Sequence, residues 1–295
     1  MQSAKFQRLK EILCCPDTGV DLIFRESSAI SPKTGKIFAI RNNKIYFTKY
    51  TYPKNELNDL KTTVRSHFGG LYHSVLVPLF APGFPFDLRK YVKKHLDIRP
   101  DSIIIDLGGG NVKSDENIYN LDHMDYGEVD IICDIECLPF KPNSVDAFIS
   151  NGVLEHIPNV SVAVDKMKAA TKMNGSSVHH TPFCYPFHAS PHDFWRFTDA
   201  GLREMYKDWQ VVEQFNSQGP FSLLATFFGY FFGALFSLGN RTLMSWLTLI
   251  LLAFFSPIKW LDFLTIRRAS GLLFAPHIVS HFRKDHIVAK RQISS

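Results

Sequence analysis

Residues 102–111 read SIIIDLGGGN, a run of β-branched residues that ends in an acid and three glycines. Such a run is typical of a strand buried on both faces of a parallel sheet, and glycines behind it let the backbone approach a ligand. The same pattern predicts five further strands, at 117–122, 129–134, 145–150, 176–183 and 209–215. Helices are predicted at 160–173 and 199–207. Strands that alternate with helices indicate an open, doubly wound α/β sheet.

Acids stand at the ends of three predicted strands, at Asp106, Asp122 and Asp134. A dinucleotide site would need G-x-G-x-x-G, but Lys113 occupies the last glycine position, and an acid before the glycines repels phosphate. Asp106 therefore suits a cationic ligand. Asp122 is placed to accept two ribose hydroxyls, and Asp134 could accept a hydrogen bond from an adenine amino group.

Two longer stretches carry a family resemblance: CDIECLPFKPNSVDAFISNGVLEHIPN at 133–159 and PFCYPFHASPHDFWRFTDAGL at 182–202. They resemble class I S-adenosylmethionine-dependent methyltransferases, in particular the branch of quinone-, glycan- and lipid-modifying enzymes. The resemblance implies a Rossmann-like doubly wound sheet and S-adenosyl-L-methionine as cofactor. It implies these contacts: Asp106, Gly108, Gly109 and Gly110 with the methionyl end, Asp122 with the ribose, Asp134 and Ile135 with the adenine, and Asn151 near the sulfonium.

The glycine loop departs from the family pattern in two ways. Val112 stands where many members have a third glycine, and only 15 residues lie between Asp106 and Asp122, too few for the usual full helix. Both departures predict a trimmed cofactor loop. The alternative is a glycine turn whose neighbouring acids only cap strands.

Candidate catalytic residues lie in one short loop after the predicted fifth strand. Methyl transfer is an in-line displacement that depends mostly on positioning, and a base is needed only for a hydroxyl-like acceptor. His188, His192 and Asp193 are the candidates. In the alternative, Asp193 pairs structurally with Arg196. The adjacent histidines at 179–180 lie within the strand and are predicted to pack there.

Residues 1–50 predict a small β-rich module, and residues 51–100 a helical linker with helices near 55–67 and 89–96. The module resembles zinc-ribbon-like domains that accompany some methyltransferases. Only Cys15 keeps its place among the ligands, because the other positions read Thr18, Ser31 and Thr34. One soft ligand cannot hold Zn²⁺, so we predict no metal. An unrelated hairpin is the alternative. Five scattered cysteines and no apolar leader favour a reducing compartment.

Residues 221–256 form an apolar stretch in which Arg241 is the only charged side chain. The stretch consists of two uncharged segments, 221–238 and 242–256, joined by Gly-Asn-Arg. These segments predict a helical hairpin, inserted in the methyltransferase domain (101–295) before a last strand at 285–291. Its possible placements, in our order of preference, are a shallow hairpin in the membrane interface, two full spans, and a soluble core or dimer interface. Residues 257–295 carry seven Lys/Arg against two Asp, which favours anionic lipid. The prediction is a membrane-associated protein on the cytoplasmic face.

These patterns predict a methyltransferase that acts at a membrane surface on a lipid-linked sugar, a quinone precursor or a similar small amphiphile. The alternative is a non-catalytic membrane-bound scaffold or regulatory protein that retains the fold. A formal net charge of +5 is too small to indicate a nucleic-acid partner. A homodimer through the hairpin is a further possible partner arrangement.

Overall fold

The computed structural model describes residues 3–48, 77–112, 115–187, 192–265 and 269–285. Within these residues, eleven strands form one sheet in the order β1-β2-β3-β4-β7-β6-β5-β8-β9-β11-β10. The first four strands come from the N-terminal module, and the other seven form the predicted α/β domain.

The N-terminal module begins with helix α1, Ala4–Ile12, which Ser3 caps through its side chain. Its strands form an antiparallel meander: β1 Ile23–Phe24, β2 Ser28–Ile30, β3 Ile37–Arg41 and β4 Lys44–Tyr46. The β3–β4 turn uses two asparagines with positive φ, as a two-residue hairpin requires. Strand β4 pairs in parallel with β7, so the meander extends the sheet of the α/β domain.

The α/β domain has seven strands: β5 Ile104–Leu107, β6 Ile118–Asp122, β7 Ile131–Ile132, β8 Val145–Asn151, β9 Thr171–Pro182, β10 Gln210–Asn216 and β11 His277–Arg283. Strands β5 to β9 pair in parallel, while β11 is antiparallel to both of its neighbours. Chain order reverses at β5, between β6 and β8. The predicted doubly wound sheet is confirmed.

Four short helices accompany these strands: α2 Val77–Phe80, α3 Leu88–His95, α4 Val160–Ala170 and α5 Asp199–Met205. Helix α3 covers one face of the sheet, while α1, α4 and α5 bury their apolar residues on the other. Helix α4 ends earlier than predicted because Thr171 is already extended and begins β9. The described part of the predicted linker contains α2 and α3, and the helix predicted near 55–67 lies outside the described residues.

The last described strand of the sheet lies ahead of the segment 285–291 in which the sequence predicted it. Strand β11 is His277–Arg283, and most of 285–291 lies outside the described residues. The polar residues Ser280 and His281 interrupt the apolar pattern of β11, although both are buried and hydrogen-bonded. Ser280 accepts from Gln214 at 2.9 Å, and the His281 ring contacts the hydroxyls of Tyr91 and Ser176, each at 3.1 Å.

The apolar stretch forms the predicted hairpin between β10 and β11. Helix α6, Pro220–Phe236, packs against helix α7, Arg241–Phe255, and two 3-10 helices follow at Ser256–Leu264 and Ala269–Phe274. Gly239 turns the chain with φ +83°, and Asn240 caps α7. Among the described residues, Arg241–Leu264 is the one continuous helical segment that meets the length and hydropathy of a membrane span.

Candidate functional site

The glycine loop after β5 is held tightly between two neighbouring segments. Gly108 and Gly110 have φ of +64° and +54°, which side chains other than glycine rarely adopt. A Cβ on Gly108 would lie 2.5 Å from Val153, and one on Gly109 would lie 2.8 Å from the Asn120 side chain. The loop thus needs glycine for its backbone conformation and for close packing. No α-helix lies between β5 and β6 among the described residues, in agreement with the predicted trimmed loop.

Asp106, at the end of β5, is buried and paired with Arg89 from the first turn of α3. Its Oδ2 accepts from Arg89 Nε at 2.8 Å and from Nη2 at 2.6 Å. Burial raises the pKa of the Asp106 carboxyl, and the Arg89 guanidinium offsets only part of this rise. The pair therefore presents a carboxylate and a guanidinium side by side at the glycine loop. No sequence motif points to Arg89, which is one of several basic residues in a short helix.

Asn120 links the Arg89–Asp106 pair to the rest of the site. Its side-chain oxygen accepts from Arg89 at 2.6 Å, and its amide donates to the carbonyls of Val112 at 2.6 Å and Glu128 at 2.9 Å. The backbone N–H of Asn120 donates to Asp130, which pairs with Lys5 of α1 at 2.9 Å. A chain of polar contacts thus runs from the N-terminal module to the glycine loop.

Asp122 and Asp134 lie on the same edge of the sheet, as predicted. Asp122 is buried, and its carboxylate accepts from the N–H groups of Gly110 at 3.2 Å and Met124 at 2.9 Å. Asp134 is exposed and caps the 3-10 helix Ile135–Cys137 by accepting from a backbone N–H at 2.9 Å. The His123 ring lies 3.2 Å from Asp122. Burial lowers the pKa of His123, although both acids favour its charged form.

Asn151, at the end of β8, contacts a histidine whose position at the site the sequence did not predict. The His180 ring contacts Asn151 through Nδ1 at 2.6 Å and Ser217 through Nε2 at 2.7 Å. Burial lowers the pKa of His180 to about 4, so the ring is neutral at pH 7. The neighbouring His179 packs in the core as predicted, with burial lowering its pKa to about 3. The alternation of side chains along β9 separates the two histidines.

The three candidate catalytic residues differ in what the structure says of them. His188 lies outside the described residues. His192 is exposed, and its backbone carbonyl accepts from His156. Asp193 is buried and paired with Arg196, with one N–O distance of 2.6 Å. This is the structural pairing that the sequence offered as an alternative, and it leaves the catalytic roles as predictions.

Arg196 also fixes the loop that follows β9. It donates to the carbonyls of Tyr185 at 3.0 Å and Pro186 at 3.1 Å. The Asp193–Arg196 pair therefore holds the two ends of the loop together beside the carboxyl edge of the sheet.

The N-terminal module contains two turns of similar geometry, at 15–19 and 31–35. Gly19 N–H donates to Cys15 O at 2.8 Å, and Gly35 N–H donates to Ser31 O at 2.9 Å, both glycines having φ near +70°. Burial raises the pKa of the Cys15 thiol, but hydrogen bonds, chiefly from Ser31, outweigh it and the net shift is downward. The described residues contain no group of three or more His, Cys, Asp or Glu that could hold a metal.

Residues 101–178 match the family model of a methyltransferase domain, Methyltransf_11. All of the predicted cofactor-binding residues lie inside this segment, whereas the candidate catalytic residues lie beyond it. None of the curated proteins compared with this chain matches it.

Solved structures of low sequence identity are similar to the chain. A complex of the Haloferax volcanii Trm112 methyltransferase activator with a methyltransferase has 15% identity, 79% coverage of this chain, 100% of that chain and a TM-score of 0.44. The Burkholderia thailandensis 1,6-didemethyltoxoflavin-N1-methyltransferase, with S-adenosylhomocysteine bound, has 13% identity, 90% coverage of this chain, 99% of that chain and a TM-score of 0.40. Geranyl diphosphate C-methyltransferase from Streptomyces coelicolor A3(2) has 12% identity, 66% coverage of this chain, 77% of that chain and a TM-score of 0.40. Similarities at this level carry no information on the acceptor or on partners.

The strand order and the family match define the class of protein. The sheet has the Rossmann-like fold of class I methyltransferases, and the match of residues 101–178 to a methyltransferase domain indicates an S-adenosylmethionine-dependent methyltransferase.

Proposed function

We propose that this enzyme transfers the methyl group of S-adenosylmethionine to a small amphiphilic acceptor at the cytoplasmic face of a membrane. Lipid-linked sugars and quinone precursors are the acceptor classes that we favour. The observation that carries the proposal is the root of the hairpin, where Ser217 contacts His180 three residues before α6 begins. One segment thus joins the carboxyl edge of the sheet to the exposed apolar residues of the hairpin.

The residues at the carboxyl edge fit the cofactor chemically. Its methionyl end carries an ammonium and a carboxylate, which complement Asp106 and Arg89. Asp122 would accept from the ribose, and Asp134 with Ile135 would contact the adenine. Gly108, Gly109 and Gly110 leave space that side chains would fill. When bound, the cofactor supplies an electrophilic methyl group on a sulfonium.

The acceptor side would then begin at Asn151. His180 is neutral, and the contacts of its two ring nitrogens fix the orientation of the Asn151 side chain. Such fixed polar groups orient the acceptor, which is the main requirement for an in-line displacement. If the acceptor is a hydroxyl, His188 or His192 remains our candidate for the base.

Membrane association is supported by how the hairpin sorts its residues. The buried positions of α6 are small: Ser222, Ala225, Thr226, Gly229 and Gly233. A Cβ on Gly229 or Gly233 would lie 2.4 Å or 2.3 Å from side-chain atoms of α7. Small residues at the contact and large apolar residues outside are typical of helix pairs in membranes.

The exposed apolar residues form one stripe on each arm: Leu224, Phe227, Phe231 and Leu235 on α6, and Leu243, Trp246, Ile250 and Phe254 on α7. The other side of the hairpin contacts α2 and the 3-10 helix Ser256–Leu264. Apart from Phe236, the exposed large apolar residues of α6 and α7 lie on one stripe of each helix, which favours a hairpin that lies in the interface over two full spans. Full spans would also carry Arg241 across the membrane.

The hairpin also lies on the correct edge of the sheet. Strand β10 runs parallel to β8 and β9, because β11 is antiparallel to both β9 and β10. Its end at Asn216 therefore lies at the same carboxyl edge as Asp106 and Asn151, and the hairpin leaves the domain there. An acceptor dissolved in the bilayer would reach the site by a short path.

Two measurements test the proposal. Fractionation should recover the full-length protein in membranes, and salt alone should fail to release it. Labelled methyl transfer from the cofactor into a total membrane extract should yield one labelled amphiphile, identified by mass spectrometry. Cofactor binding without transfer to any extract would favour the scaffold alternative. A detergent-free soluble dimer would contradict the membrane placement.

A further inference from the structure

An apolar cavity of about 920 Å³ lies between α6 and the loop that follows β9. Its volume is within the range of small-molecule sites. Its walls include Tyr185 from the loop and Phe221, Phe227, Tyr230, Phe231 and Ala234 from α6. None of the residues that we place at the cofactor lines this cavity, so it is a separate feature of the site.

The inner end of the cavity is polar and close to the methyl-transfer edge. The Tyr185 hydroxyl hydrogen-bonds Tyr230, and burial with this contact keeps the pKa of Tyr185 above its ordinary value. The Tyr185 ring lies 4.7 Å from the His277 ring, which lies 4.8 Å from the His180 ring. Two ring contacts therefore separate the inner end from the His180–Asn151 pair.

The outer end of the cavity is apolar and opens onto the exposed stripe of α6. Phe227 and Phe231 line the cavity and are also about half exposed on the hairpin surface. The cavity thus lies between the rings that adjoin the His180–Asn151 pair and the surface that we place in the bilayer. A molecule that fills it would place an apolar chain among the α6 side chains and a polar group beside the two tyrosines.

We propose that this cavity binds the single hydrocarbon chain, acyl or isoprenoid, of the methyl acceptor. The proposal rests on the proposed function and gives the hairpin a second role, that of the acceptor-chain site. One copy of the protein supplies both walls, so no second copy is needed to complete the cavity. The Tyr185 and Tyr230 hydroxyls, which hydrogen-bond each other at the inner end, suit the junction between a chain and its polar head.

The chain site predicts selection by chain length. For an acceptor that enters from water, each methylene that fills the cavity should tighten binding by about fourfold. For an acceptor already dissolved in the bilayer, entry removes no methylene from water, so selection depends on how well the chain length fits the cavity. Chain length should therefore alter acceptor binding up to a defined length.

Photolabelling of the full-length protein in phosphatidylcholine nanodiscs, with S-adenosylhomocysteine present, tests the proposal. The probe is a fatty alcohol with one chain and a diazirine at its end, and labelled residues are mapped by mass spectrometry. Ala234→Trp would narrow the mouth of the cavity. Leu235→Trp is the matched control, because Leu235 is 54% exposed and does not line the cavity.

The expected result is labelling of Tyr230 and Phe231 in the wild type and in L235W, reduced about tenfold in A234W, a change of ~1.4 kcal/mol. Calorimetry on the same samples should show unchanged S-adenosylhomocysteine binding, which separates this proposal from the proposed function. Equal labelling in both variants would overturn the chain site, as would labels confined to outward residues such as Phe254. Equally efficient labelling of the cavity by a two-chain diazirine phosphatidylcholine would assign it to bulk lipid and overturn it too.

Discussion

The sheet and the hairpin place their large apolar side chains in opposite directions. In the sheet, Phe148 and Phe282 are fully buried, whereas in the hairpin Gly229 and Gly233 are buried and Phe254 is 72% exposed. Water drives large apolar side chains inward, and a hydrocarbon surrounding removes that drive. The contrast is what the proposed membrane placement of the hairpin predicts.

Two buried charges hold the 3-10 helix after α7 against its neighbours, Asp262 against the start of α6 and Lys259 against α2. Asp262 accepts from three backbone N–H groups of residues 219–222 at 2.8–3.1 Å, and Lys259 donates to three carbonyls of residues 78–81 at 2.6–3.1 Å. Each charge satisfies backbone groups near a helix end, which otherwise lack partners. The hairpin is therefore docked onto α2 by specific polar contacts.

Truncation of one phenylalanine to alanine in the sheet, and of one in the hairpin, tests this difference with the largest expected effect. Phe148→Ala should lower the free energy of unfolding by about 3–5 kcal/mol, because it opens a cavity in the sheet core. Phe254→Ala should change it by less than about 0.5 kcal/mol. Vesicle flotation should show the reverse order, with only Phe254→Ala weakening membrane binding. Similar unfolding losses for both variants, measured by denaturant titration, would show that the hairpin is an ordinary core.

Removal of the Asp262 carboxylate should have the next largest effect on the free energy of unfolding. Asp262→Ala leaves three N–H groups and the Ser222 hydroxyl without their acceptor, so we expect a loss of about 3 kcal/mol and faster proteolysis near 217–219. Asp101→Ala is the control, since its side chain is 80% exposed. If both variants resist protease as the wild type does, the hairpin is held by other contacts.

The Arg89–Asp106 pair predicts a pH-dependent effect in the sheet. Arg89→Met removes the contact that lowers the Asp106 pKa, so the folded-state pKa rises further above its unfolded value. A raised carboxyl pKa favours the folded state below the unfolded pKa, and that stability is lost as pH rises through the folded pKa. The variant should lose about 3 kcal/mol at pH 7 and recover as pH falls.

The double variant R89M/D106N is the control for this effect. It carries no buried carboxylate and should recover much of the stability at pH 7, with a flatter pH profile. A single variant whose stability loss is the same at pH 4 and pH 7 would contradict the pairing.

The smallest expected effect concerns zinc binding by the N-terminal module. Metal analysis of purified protein should give well below one equivalent of zinc, whereas T18C/S31C/T34C, with Cys15, should bind about one. The matched turns at Gly19 and Gly35 are the reason to expect that the variant folds around the ion. One equivalent of zinc in the wild type would show that other ligands complete the site.

The sequence predicted the parts of the fold that follow from periodicity. Strands β5 and β8 have clear patterns because most of their buried residues are apolar, and the hairpin is marked by its long apolar run with a single charge. Strand β11 lacks such a pattern, since Ser280 and His281 read as surface residues and are buried only because Gln214, Tyr91 and Ser176 bind them. Burial of a polar residue depends on partners that are distant in sequence.

The residues of the candidate site that follow strands could be predicted from the sequence, whereas Arg89 could not. Asp106, Asp122, Asp134 and Asn151 follow strands, and strand ends of a parallel sheet converge on one edge. Arg89 reaches that edge from a helix outside the motif, and only tertiary packing brings it there.

Calorimetric titration with S-adenosylhomocysteine tests the central claim most directly. The full-length wild type should show one saturable site, and Asp122→Asn should weaken binding by about tenfold or more, since a carboxylate bond to a hydroxyl is replaced by a weaker one. The exposed Asp101→Asn should bind like the wild type. Absence of binding to folded wild-type protein, or equal affinity in all three, would contradict a cofactor site at the carboxyl edge.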